Sequence, residues 1–200
     1  MDLTVLATTF AVIFPVELPD KTFVASLVLA TRYRPVLVWV GVSLAFAVQC
    51  AVAVAAGGLL SLLPSAVVAS AAAVLFLIGA MVLWRGAARA DREEADAERE
   101  FAARSGAEAD GVRAVATSFG VLFLAEWGDL SQLFTAGLAA RYADPVSVFT
   151  GSWLALVTVA GLAVVLGRTA VRHVRLSTVR RVGAAVCLLL ALLAVRDALG

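Results

Sequence analysis

Four carboxylates interrupt the apolar stretches of this chain, and they fall in two segments of the same form. One reads Glu17-Leu18-Pro19-Asp20-Lys21-Thr22, the other Glu126-Trp127-Gly128-Asp129-Leu130-Ser131. Each is Glu-x-x-Asp, then one residue, then a hydroxyl, and the glutamates stand 109 residues apart. An ionised acid at the centre of a bilayer is costly, so an intramembrane carboxylate marks a functional site by default. Glu and Asp at i and i+3 share one face of a helix. The hydroxyl, five residues from its glutamate, joins that face only where the helix is locally unwound. If the two segments converge, Glu17, Asp20, Thr22, Glu126, Asp129 and Ser131 form a cage of hard oxygens, with Gln132 and Gln49 as supporting residues. Such a cage suits hard divalent cations, Mn²⁺ and Ca²⁺ among them.

Four carboxylates in a cavity of low dielectric cannot all stay ionised without a cation. Protons and a metal ion therefore compete for the same oxygens, and with alternating access that competition gives antiport. Lys21, the only lysine, either pairs with Asp20 and stands in for the metal or snorkels away; its counterpart is Leu130, so the half-sites differ in charge. The one histidine, His173, lies in a basic loop without a partner motif and receives no catalytic role. Cys50 and Cys187 read as buried thiols with neither disulfide nor metal spacing. No P-loop, Gly-x-Ser-x-Gly segment or triad-forming histidine occurs, so the chain reads as no enzyme, with no cofactor and no nucleic-acid partner.

The elements that must position these acids are membrane helices. Of 200 residues 62% are hydrophobic and only 16% charged, too few for a soluble surface. The start, Met1-Asp2-Leu3, lacks the basic region of a secretory leader. Apolar runs predict spans at about 3–31, 35–60, 65–84, 112–141, 145–166 and 179–199, each near or above the ~20 residues that cross a bilayer. The first and fourth are long for a straight crossing and contain the acid segments. Pro15, Pro19 and Gly128 predict that both are broken at mid-depth, freeing carbonyls as further oxygen ligands.

The halves also match beyond the acids. Leu29, Ala30, Arg32 and Tyr33 correspond to Leu138, Ala139, Arg141 and Tyr142; after a one-residue shift Pro35 and Gly41 correspond to Pro145 and Gly151. Three spans per copy force the second to enter from the opposite side. The expected fold is an all-α integral membrane protein of six transmembrane helices in two inverted three-helix repeats, 1–84 and 112–200, joined by a charged linker, 85–111. Thirteen arginines fall on the side of connections 1–2, 3–4 and 5–6 and two on the other, which places the linker in the cytoplasm and both termini outside. The linker holds eight acids and five arginines from Arg85 to Asp110 and reads as a solvated helix or tether. The Arg168–Arg181 loop reads as an anchor to anionic headgroups.

At the paired acid segments the chain resembles the Gdt-type family of Ca²⁺/Mn²⁺–proton exchangers, in the lysine-exporter superfamily. Its hallmark is a pair of Glu-x-Gly-Asp-(Lys/Arg)-(Thr/Ser) motifs, one per three-helix repeat. The resemblance implies exchange of manganese or calcium for protons, and manganese export in bacterial members. It carries over to Glu17, Asp20, Lys21, Thr22, Glu126, Asp129 and Ser131, and Gln132 fits the glutamine that often follows the second motif. Two positions depart: Pro19 stands at the first motif's glycine and Leu130 at the second's basic residue. Fifteen arginines against one lysine, with abundant alanine, point to a GC-rich bacterial genome and so to a bacterial plasma membrane.

Two other functions fit parts of the chain. One is export of an amino acid or other organic cation, against which stands an acid- and hydroxyl-rich site with few apolar pockets. The other is a non-transporting membrane subunit that binds a partner through the 85–110 linker. A buried network that merely fastens two helices is the plainer reading of the acids; two copies at matching positions argue against it.

Overall fold

Pro35 and Pro145 each open a long helix at a position where a missing N–H costs no hydrogen bond. The computed structural model describes residues 1–18, 21–87, 96, 99–103, 111–171 and 176–199. The longer helices among them are α1 (Leu3–Glu17), α2 (Lys21–Arg32), α3 (Pro35–Leu60), α4 (Ser65–Gly86), α5 (Val112–Ala125), α6 (Leu130–Tyr142), α7 (Pro145–Val171) and α8 (Leu176–Leu199). All regular structure in the described residues is helical.

Membrane character is visible in which side chains face out. On α3 Val36, Val40, Leu44, Val48 and Val52 recur every four residues and are exposed, while Val38, Val42, Ala45, Phe46, Gln49 and Cys50 are buried. A helix apolar on its outer face as well as its inner one is matched to lipid. The same holds for α8, which buries Ala184, Cys187, Ala191 and Ala194 and exposes Leu188, Leu189 and Leu192. Small residues inside and large ones outside are the pattern of helices held by close approach in a medium with no hydrophobic drive.

By length and composition α3, the Ala66–Gly86 part of α4 and the Pro145–Val165 part of α7 can each cross a membrane. The bent pair of α1 and α2, turned by 70° at its break, makes a fourth crossing if counted as one. The span expected over 112–141 is likewise divided, at the break its glycine predicts, into α5 of 14 residues and α6 of 13. Both divisions fall at the acid segments. Pro15 does not end α1; the helix runs through it to Glu17. Its neighbours α7 and α8 outrun the expected spans, because the more polar segments that leave the apolar zone, Arg168 of α7 and Ser177 and Thr178 of α8 among them, stay helical.

The order of contact is crosswise. α1 packs on α7, α3 on α5, and α4 on α8. Gly41 lets α3 touch the Val115 carbonyl and Ser118 of α5; Gly151 lets α7 come so close to α1 that a Cβ there would lie 2.6 Å from the Leu6 carbonyl and 2.9 Å from Thr9 Cβ. Leu6 and Thr9 are 109 residues before Val115 and Ser118. Stacked rings repeat at the same interval, Phe10 on Phe14 and Phe119 on Phe123, each pair at 5.4 Å between centroids.

The N-terminal end of α1 is pinned to the start of α7. Asp2 caps α1 by accepting from the Thr4 N–H at 2.7 Å, and its own N–H donates to Ser147 Oγ at 2.7 Å and to Asp144 Oδ2 at 3.1 Å. Of the linker, residues 99–103 are helical and Phe101 is buried. Helix agrees with one form of the expected solvated helix or tether, and Asp96 and Arg99, 3.8 Å apart, are exposed, but Phe101 is not solvated.

Candidate functional site: two helix breaks with buried acids

Glu17 is the last residue of α1 and is fully buried. The N–H of Leu18 still closes on the Phe14 carbonyl, so the chain leaves the helix one residue after the acid. Pro19 and Asp20 lie outside the described residues, as does the side chain of Lys21. Thr22, on the first turn of α2, is fully buried.

The second break is described throughout. Glu126 caps α5 and is 4% exposed. Gly128 turns the chain with φ of 82°, a left-handed conformation that glycine adopts without the strain a side chain brings. Asp129, half-buried, caps α6 with an extended backbone (φ −70°, ψ 167°), and Ser131 is buried on the first turn. The hydroxyl thus sits past the unwound segment, as the five-residue spacing requires. Gln132 is turned back onto the break: its Nε2 donates to the Glu126 carbonyl at 2.9 Å and its Oε1 accepts from the Gly128 N–H at 3.2 Å. Its amide braces the turn with both ends. Gln49 likewise donates from Nε2 to the Phe123 carbonyl at 3.2 Å. Two of the carbonyls freed by the break are therefore occupied by glutamine amides.

The helices that flank the breaks touch across the two halves, α1 against α6 and α2 against α5. α3 packs against α2, α5 and α6, with Gln49 on the last turn of α5 and the buried Cys50 within electrostatic reach of Glu17. Cys50 is a buried free thiol, as its apolar run predicts, and its place beside Gln49 in mid-span is the signal in the sequence that sets it near the acids. Among the described residues no three His, Cys, Asp or Glu side chains lie together as a metal cluster, Asp20 being outside that set.

Three helices fit to cross a bilayer, a fourth crossing if the bent pair counts as one, and two helix ends that each bury a glutamate define a multi-pass membrane protein with acids inside it. The chain belongs to the divalent cation/proton antiporter GDT1 family, whose family model matches residues 5–91 and 114–200. It is 36% identical over 177 residues to a GDT1-like protein of Synechocystis sp., covering 84% of each chain. It is 30% identical over 193 residues to a Vibrio cholerae protein named "Putative manganese exporter", covering 95% of this chain and 90% of that one. With GDT1-like protein 1, chloroplastic, of Oryza sativa subsp. indica it shares 31% over 184 residues, spanning about half (53%) of that protein's length. No solved structure matches the chain.

Proposed function

We propose that the chain exports Mn²⁺, with Ca²⁺ as the second candidate, in exchange for protons across the bacterial plasma membrane. The reading takes 1–84 and 112–200 as inverted three-helix repeats, with α5–α6 as the fourth crossing and α8 as the sixth. The linker lies in the cytoplasm and both termini outside. The observation that carries it is the matched pair of breaks, each with a glutamate buried where a helix ends and a hydroxyl buried where the next begins.

In this reading Glu17, Asp20, Thr22, Glu126, Asp129 and Ser131 hold the cation. All six offer hard oxygen, which Mn²⁺ and Ca²⁺ accept. The C-terminal carbonyls of α1 and α5 open onto the breaks and suit a cation beside them, while the positive N-terminal pole of α6 favours the ionised carboxylate of Asp129 that precedes it. Gln132 and Gln49 hold the second break in shape rather than ligate the ion. When the metal leaves, protons take its place on the carboxylates; rocking of the two repeats about the crosswise contacts exposes the site to one side at a time. Lys21 offers a tethered charge near the first break only, and the Leu130 position supplies none.

Purified protein in liposomes loaded with a pH dye and a metal dye tests this directly. An imposed Mn²⁺ gradient should drive proton movement, and Glu17→Gln or Asp129→Asn should abolish it in protein that still inserts and folds. Wild-type exchange rates in either variant would remove the site assignment. An absence of metal-driven proton flux in the folded wild type would remove the function.

A further inference from the structure

Among the described residues, every buried polar side chain on α1, α2, α5 and α6 has a twin 109 residues away: Thr9 and Ser118, Glu17 and Glu126, Thr22 and Ser131, Ser26 and Thr135. The second and third pairs belong to the acid motifs. The fourth does not. Ser26 follows Thr22, and Thr135 follows Ser131, by four residues, which places each on the face of its half-helix that carries the motif hydroxyl, about 6 Å farther along.

A serine or threonine in a membrane helix ordinarily spends its hydroxyl on a carbonyl of its own helix. The lipid-facing Thr158 does so, donating to the Leu154 carbonyl at 2.6 Å, and Thr31 donates to Val28 at 2.7 Å. Ser26 and Thr22 do not: both are fully buried, and neither hydroxyl has a hydrogen-bond partner among the described residues; Thr9, Ser43 and Ser118 are left in the same state, but Ser26 alone of these stands one turn from a motif hydroxyl. In the second half Thr135 Oγ1 donates to Ser152 Oγ of α7 at 3.0 Å. Position 42 of α3 corresponds to 152 by the shift that pairs Gly41 with Gly151, and it holds the buried Val42. So the first half offers Ser26 no hydroxyl where the second offers Thr135 one. A buried hydroxyl left unbonded costs stability, and a native protein retains one where water or an ion completes it.

We propose that Ser26 and Thr135 are further oxygen ligands for the cation on its way to and from the acids. Ser26 lies on the half-path that runs along α2 to Arg32, and Thr135 on the half-path along α6 to Arg141. This rests on the exchange function and the inverted orientation above. A divalent cation leaving the carboxylates has its shell of oxygens to replace. Thr22 with Ser26, and Ser131 with Thr135, each present two hydroxyls one turn apart, a spacing that hands a cation or its water from one to the next. Because α2 and α6 leave their breaks toward opposite faces in the inverted arrangement, each hydroxyl serves one face.

The test replaces oxygen by sulfur at nearly constant volume. Ser26→Cys and Thr135→Cys are made in full-length protein that keeps Cys50 and Cys187, and Mn²⁺ and Cd²⁺ are offered to one face of the liposome at a time. Thiolate favours the softer ion. The expected result is that the Cd²⁺-to-Mn²⁺ ratio of apparent affinities rises about tenfold, on the linker face for Ser26→Cys and on the opposite face for Thr135→Cys. Thr158→Val, on the lipid face, keeps the wild-type ratio. Ser26→Ala should raise the Mn²⁺ KM about fivefold on the linker face with the pH profile of exchange displaced, and Ser26→Thr should restore both. Ratios within about twofold of wild type from both faces overturn the proposal, and equal shifts from both faces overturn the separate half-paths. A wild type without metal–proton exchange would instead sink the function itself, so the two failures are read from different samples.

Discussion

Replacing Gly151 by alanine asks whether α7 truly touches the backbone of α1. A methyl at that position would sit 2.6 Å from the Leu6 carbonyl oxygen and 2.9 Å from Thr9 Cβ, whereas ordinary contact begins at 3.4 Å. To restore it α7 must retreat by about 0.8 Å or α1 must bend. The obstruction is backbone, which cannot rotate away as a side-chain tip can. Overpacking of this kind costs about 1–3 kcal/mol. Alanine also favours helix over glycine by about 1 kcal/mol, which offsets part of the loss.

Gly58, also helical, has nothing within 4 Å of its virtual Cβ and so receives the propensity gain alone. The difference between Gly151→Ala and Gly58→Ala therefore isolates the clash. At about 2–4 °C per kcal/mol for a chain of this size, the first should melt about 2–12 °C below the second. Thermal unfolding in detergent, followed by tryptophan fluorescence, reads it. Trp153 sits two residues from the contact, and its indole donates to the Ser43 carbonyl at 2.9 Å. Its emission should shift as α7 is displaced. Gly41→Ala should behave alike, since its Cβ would meet the Val115 carbonyl and Ser118 in the matching crossing. Equal melting temperatures for Gly151→Ala and Gly58→Ala would refute the close approach, and with it the crosswise order of the helices.

Two further outcomes follow from the connection between α6 and α7. Ala143 holds φ of 50° in the left-handed region to end α6, so Ala143→Gly should stabilise the protein by about 1 kcal/mol in the same melting assay, and a loss of stability would contradict that backbone. Asp144 is held below the usual carboxylate value of 3.8, first by the Ser147 hydroxyl donating to it at 2.6 Å and then by the Ser147 N–H. A carboxyl depressed by folding stabilises fully above its ordinary value and loses that contribution as pH falls through its lower folded value. The melting difference between wild type and Asp144→Ala should therefore be constant from neutral pH to about 5 and shrink below about 4. A difference that grows on acidification would contradict the assignment.

What the chain discloses before folding is uneven, for physical reasons. The limits of α3 are legible because proline can open a helix and a short turn ending in Pro64 closes it; observed and expected bounds agree at Pro35 and Leu60. The breaks are legible too, since proline and glycine at a buried acid leave few ways to continue a helix. Helix ends at the interface are not: hydropathy marks where lipid stops, and α7 and α8 run past that point as helices. Phe101 hides inside the most charged stretch of the chain, where composition argues for solvent and one aromatic ring decides otherwise.

Ser26 and Thr135 are less visible in the sequence than the acids. An acid in an apolar run draws notice because its burial is costly, whereas serine and threonine pass as neutral filler that can bond its own helix. Yet the 109-residue interval that pairs Glu17 with Glu126 also pairs Ser26 with Thr135 and Thr9 with Ser118. An internal repeat supplies what a single sequence otherwise lacks, a second sample of the same position under the same demands. A polar side chain kept in both copies and buried in both has met those demands twice. Thr31, whose counterpart is Ala140, has no such twin, and its hydroxyl is spent on the nearest carbonyl of its own helix.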